Sequence, residues 1–136
     1  DIWQERFEDI RSTERYLGRN GVLVRKFFLH VSRKEQKARF LQRLEDPEKH
    51  WKFAAADAAE RRFWPDYMAA YEDMIRNTAA PEAPWYVVPA DNKWFTRRVV
   101  AAAVIDSLCG LDLRYPAVDT AKRMEMATAR EALLAE

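Results

Sequence analysis

Glycine is scarce in this chain. Only Gly18, Gly21 and Gly110 occur in 136 residues, and none lies in a glycine-rich loop followed by Lys and Ser or Thr, so no phosphate-cradling loop can be drawn from the sequence. A single cysteine, Cys109, excludes an internal disulfide or a cysteine-built metal cluster and points to a reducing, cytoplasmic setting. At the end of an apolar run, Cys109 is expected to be a buried packing residue. Excess charge is also missing: 23 basic against 22 acidic side chains leave a formal charge of +1, which argues against a dedicated nucleic-acid binder but allows a local basic patch. No apolar stretch is long enough to cross a bilayer and no signal-peptide pattern opens the chain, so no membrane partner is expected.

Catalytic groups are equally sparse. No Asp, Glu and His residues show metal-ligand spacing, so no metal ligand is assigned. His30 and His50 stand far apart without a triad partner, and no serine sits beside a base. His30, projecting from a strand, reads as a packed or supporting histidine. No self-contained catalytic centre is visible, and no catalytic residue is assigned. The sequence opens at Asp1 without an initiator methionine, and further chain upstream is expected.

What is present is a regular succession of elements. Trp3, Phe7 and Ile10 recur at helical spacing, predicting a helix over 1–19 stopped by Gly18 and Asn20-Gly21. Val22 to Val31 is short and mostly apolar, as in an interior strand. Ser32 and Glu35 have capping-box spacing and should start a helix running to Glu45, ended by Asp46-Pro47. Helical spacing returns from about Ala55 to Asn77, with a kink or break near Trp64 because Pro65 lies inside it. Trp85 to Pro89 reads as a second strand. Asp91 should cap a helix reaching Cys109, closed by Gly110 in a left-handed conformation. A last charged helix covers about Val118 to Glu136.

Strands alternating with helices predict an α/β fold with a parallel sheet. Yet only two strands are present, and such a sheet would keep unpaired edges and uncovered faces. The chain therefore reads as half a domain.

Between Arg33 and Arg62 nine basic residues face six acids, an excess of three. Arg39 and Arg43 are four apart and share a helix face; paired guanidinium forks there could grip phosphate oxygens. Lys49 and Lys52 follow, around His50 and Trp51. Spacing alone favours the plainer reading, a solvated face of Arg–Glu pairs. Trp51, Trp64, Trp85 and Trp94 could stack a base, but core packing suits most of them better.

Several stretches in one register resemble the second polyphosphate kinase family. They are Lys26-Phe-Phe-Leu-His-Val-Ser32, Glu35-Gln36, Arg39, Arg43, Asp46-Pro-Glu-Lys-His-Trp-Lys-Phe53, Asp57, Glu60-Arg61, Trp64, Asp66-Tyr67-Met68, Ala70-Tyr-Glu-Asp73, Ala83-Pro-Trp-Tyr-Val-Val-Pro-Ala-Asp91, Lys93-Trp94 and Leu111-Asp-Leu-Arg-Tyr-Pro116. Pro65 departs from the pattern, standing where relatives usually carry an acid, and Ala79-Ala80 replace a Ser-Thr pair.

The resemblance implies a P-loop kinase-like parallel sheet flanked by helices. This chain would supply two strands, a helical lid over about 46–77, and C-terminal helices ending in a tail over about 117–136, all as the C-terminal part of a single domain. It implies phosphoryl transfer between inorganic polyphosphate and a nucleoside mono- or diphosphate with Mg2+, whose ligands belong to an upstream half carrying the phosphate loop. Arg39, Arg43, Lys49, Lys52 and Arg61 would neutralise phosphates from the lid. Ala90, Asp91 and Lys93, after the carboxyl end of a strand, would lie near the nucleotide, unless Asp91 is simply a helix cap. An oligomer of identical chains is expected. The competing readings are a non-catalytic module holding polyphosphate or RNA as a polyanion, and a helical oligomerisation piece.

Overall fold

Asp1 accepts the Trp3 amide with its carboxylate and starts helix α1, Ile2–Arg19, in a computed structural model that describes residues 1–136. The helix ends where Gly21 turns to φ +80°, a conformation that costs glycine nothing. Strand β1 is Lys26–His30, shorter than the apolar run of 22–31. Helix α2, Arg33–Glu45, stops at Asp46-Pro47, whose carboxylate and ring then start a 3-10 turn over Pro47–Lys52.

Pro65 does break the following helix. Helix α3, Ala55–Glu60, passes through a 3-10 turn, Arg61–Phe63, into helix α4, Trp64–Thr78. Strand β2 is Trp85–Pro89 as expected, helix α5 is Lys93–Cys109 and helix α6 is Thr120–Leu134.

The two strands pair in parallel, Lys26 opposite Trp85 through His30 opposite Pro89, and form the whole sheet. Because strand side chains alternate between faces, Lys26, Phe28 and His30 share one face with Trp85, Val87 and Pro89. There Phe28 meets Tyr71 of α4 at 4.9 Å between ring centroids. On the other face Phe27 stacks on Tyr86 at 5.1 Å. Few apolar residues are fully buried: Ala83, Val88 and Ala90. Val87 stays 57% exposed and Leu29 50%, so the open edges and bare faces foreseen from two strands are present.

One mostly buried ion pair ties four elements together. Lys26 of β1 donates from Nζ to Glu14 of α1 and to the Thr78 carbonyl at the end of α4, both at 2.7 Å, and lies 5.3 Å from the centre of the Trp85 ring of β2. Trp85 donates its indole N–H to the Thr78 hydroxyl at 2.9 Å, and that hydroxyl donates to the Met74 carbonyl. Lys26 and Glu14 side chains keep only 12% and 11% exposure. A charge so placed needs the partners it has here, an opposite charge and a carbonyl.

The chain divides into two compact units, residues 1–105 and residues 106–136, the boundary falling in the last turns of α5. Several local expectations are corrected. Cys109 is exposed, not buried. Gly110 does not take the left-handed closing conformation; Asp112 does, at φ +44°, which a short polar side chain tolerates. His30 is exposed, not packed. Trp51 and Trp94 are 79% and 62% exposed, while Trp64 and Trp85 are half-buried. No helix is long and apolar enough to cross a membrane.

Replacing Lys26 with Ala should cost about 3–5 kcal/mol in urea unfolding, because Glu14 and the Thr78 carbonyl lose their cation in a nearly dry site. The paired change Glu14→Leu with Lys26→Met should recover most of that loss.

Candidate functional site

The carboxyl ends of β1 and β2 are joined to the start of α2 by crossed polar contacts. Ser32 accepts the Glu35 amide with its hydroxyl at 3.1 Å, the expected half of a capping box. The other half does not form. The Ser32 amide donates to Asp91 Oδ1 at 2.7 Å, and the Glu35 carboxylate instead accepts from Arg39 Nε at 2.8 Å. Asp91 is therefore turned toward β1 and is not the cap of α5, whose first α-helical bond goes from Thr96 to the Asn92 carbonyl. The Ser32 amide holds the Asp91 carboxyl below the usual carboxylate range.

The expected phosphate-binding residues fall into two groups. Arg39 and Arg61 stand close to the strand ends. Arg39 donates from one terminal nitrogen to the Ala90 carbonyl at 2.7 Å and to the Asp91 carbonyl at 3.1 Å. Arg61 donates to the Gln36 side-chain oxygen and, at 3.1 Å, to the Arg33 carbonyl, while Arg33 returns a bond to the Arg61 carbonyl at 3.4 Å.

The second group gathers at the far end of α2. Arg43 lies over the Phe40 ring at 5.5 Å and reaches the Lys52 carbonyl at 3.5 Å. Lys49 pairs with Asp46, holding that carboxyl low, and Lys52 lies 4.8 Å from the centre of the exposed Trp51 ring. His50 closes this end by donating Nε2–H to the Leu44 carbonyl at 2.9 Å. Among the remaining expected site residues, Ala90 is buried and Lys93 is exposed at the first turn of α5.

Between β1, α2, α3 and α4 lies a hollow of about 430 Å³. Its floor is Phe28 and His30, and its walls include Arg61, Gln36, Asp57 and Glu60. Glu60 accepts the Tyr67 hydroxyl at 2.8 Å, which pushes the Tyr67 phenol upward. Asp57, Glu60 and Tyr67 were not singled out as site residues by spacing, since two acids on a short alanine-rich helix carry no metal-ligand or triad pattern. Arg33 and Gln36 were missed as well; the available signal was Pro65, four residues after Arg61. No group of three or more His, Cys, Asp or Glu side chains converges, so no all-protein metal cage is built from this chain's residues.

The polyphosphate kinase 2 family model matches residues 1–114. An ADP-polyphosphate phosphotransferase of Rhodopseudomonas palustris is 44% identical over 98% of this chain and 46% of its own length. A protein encoded in the chlN 3' region of Leptolyngbya boryana is 48% identical over 99% of both chains. The crystal structure of polyphosphate kinase 2 from Arthrobacter aurescens superposes with a TM-score of 0.84 at 41% identity, over 93% of this chain and 45% of that one. The chain thus spans somewhat less than half of the phosphotransferase and of the solved kinase, and nearly all of the Leptolyngbya relative.

Replacing Asp91 with Ala should lower the melting temperature at neutral pH by removing the acceptor for Ser32. A depressed carboxylate contributes stability above its ordinary pKa of 3.8 and loses it as the pH falls through the lower folded value. The gap between variant and parent should therefore close in melts carried to strongly acidic pH.

Proposed function

The chain belongs to the polyphosphate kinase 2 family, and from that premise we propose that it takes part in phosphoryl transfer between inorganic polyphosphate and a nucleoside mono- or diphosphate. In this reading, segment 46–77 is a basic lid, residues 1–136 are the C-terminal part of a P-loop kinase-like domain, and residues 117–136 are its tail. The observation that supports it best is the arrangement of Arg39, Arg61, Arg43, Lys49 and Lys52 along α2, from the carboxyl ends of the parallel strands outward. Ligands of parallel sheets collect at that edge.

Each group has its own task in the proposal. Arg43, Lys49 and Lys52, held only by weak or solvent-exposed contacts, neutralise successive phosphates of the chain. Arg61 meets the reacting end at the mouth of the hollow. Asp57 and Glu60 repel phosphate and keep the polyanion on the α2 side. The terminal phosphoryl group then passes from a phosphoanhydride oxygen of polyphosphate to a phosphate oxygen of the nucleotide, placed near Ala90, Asp91 and Lys93. That step needs positioning and charge neutralisation more than covalent help.

Magnesium, a cytoplasmic setting and an oligomer of identical chains belong to the same reading. The phosphate loop and the ion's ligands are assigned to an upstream half, whose strands would also cover the bare sheet edges. A module that merely holds polyphosphate or RNA finds less support, because the similar proteins with named activities are phosphotransferases.

Retention on a polyphosphate column at stepped salt checks the assignment. The triple variant Arg43→Gln, Lys49→Gln, Lys52→Gln should elute earlier, with the slope of log affinity against log salt shallower by roughly 2 to 3. Unchanged retention would remove polyphosphate from the proposal. Transfer itself is measured by ATP formation from ADP, polyphosphate and magnesium, with the chain alone and with an upstream half supplied in trans.

A further inference from the structure

Pro65 has an effect on Arg61 that reaches across to α2. In an unbroken helix the amide of residue 65 would donate to the Arg61 carbonyl, and proline has no amide hydrogen. That carbonyl instead accepts the Trp64 amide in a tighter 3-10 bond and keeps room for the Arg33 guanidinium at 3.4 Å. Arg61 answers with a bond to the Arg33 carbonyl at 3.1 Å, and Gln36, one turn along α2, accepts a further N–H from Arg61. Three side chains and two carbonyls thus close a clasp between the α3–α4 elbow and the first turn of α2.

We infer that Arg33 and Gln36 are positioning residues that fix the Arg61 guanidinium at the edge of the hollow before any phosphate arrives. The inference rests on the proposed role of Arg61 in polyphosphate binding. Two of the five guanidinium N–H groups of Arg61 are committed to the clasp. A free arginine loses rotamer freedom on gripping an anion, whereas one already held by its neighbours loses less. Lys49 pairs with Asp46 three residues before it and Lys52 lies over the neighbouring Trp51, so both exposed lysines are held only by residues close in sequence, not by a second element. Arg61, like Arg39 nearer the strand ends, is accordingly a fixed point of the basic row.

The test is calorimetric titration of the full chain with inorganic polyphosphate of defined length, at several salt concentrations. Gln36→Leu removes an acceptor without changing charge; Arg33→Lys keeps the charge but removes the guanidinium N–H that reaches the Arg61 carbonyl. Each should weaken binding about tenfold, with the salt slope unchanged because the number of neutralised phosphates is the same. In an Arg61→Lys background neither change should weaken binding further. Equal losses in both backgrounds, or no loss, would overturn the positioning role while leaving polyphosphate binding intact. If the parent chain does not bind polyphosphate at all, the functional reading and the clasp's role fall together. Should Gln36→Leu unfold the chain, Arg33→Lys on the solvent-exposed start of α2 decides the matter.

Discussion

The contact between Lys26, Glu14 and the end of α4 governs how this chain stays folded. A sheet of two parallel strands has too little apolar interior to hold its flanking helices by burial alone, and only Ala83, Val88 and Ala90 are fully enclosed apolar residues. The lysine reaches a carboxylate on α1 and a carbonyl on α4, beneath a tryptophan from the neighbouring strand. Local charge satisfaction takes the place of a broad core at that end of the sheet. At the other end Asp91 and Arg39 do the same for the strand tips, tying β1 and β2 to α2. The part of the sheet around Leu29, His30, Val87 and Pro89 can then remain open without the strands parting.

Most of the architecture was legible from local rules. The Asn20-Gly21 pair, Asp46-Pro47 and Pro65 each marked an element boundary, because a left-handed glycine and the missing proline amide act within a few residues. The failures were non-local. Glu35 was expected to complete a capping box with Ser32, but its carboxylate pairs with Arg39 one turn on. Asp91, fifty-nine residues away, took the Ser32 amide. Cys109 and His30 looked like packing residues in apolar company, yet apolar company in sequence does not supply a covering layer in space.

The candidate site shows the same division. Arg39 and Arg43 share a helix face as their spacing demands, but their surroundings differ: one is spent on Glu35 and two carbonyls, the other rests on Phe40. Spacing cannot report which carbonyls will point at a guanidinium. The acidic wall of Asp57 and Glu60 was also hidden, because it becomes a wall only once the elbow at Arg61 folds α3 back toward α2. Charge type was readable from the sequence, whereas charge commitment required the fold.

Residues 31–84 connect one strand to its parallel neighbour, so the whole basic row is carried by a single crossover. The entropy of closing such a connection grows only with the logarithm of its length, about 0.6 kcal/mol for each doubling. Turns added to or trimmed from the segment between α2 and α4 would therefore leave the strand register almost untouched. The scaffold is free to accept crossover segments of different lengths there, while Lys26 and Trp85 remain paired.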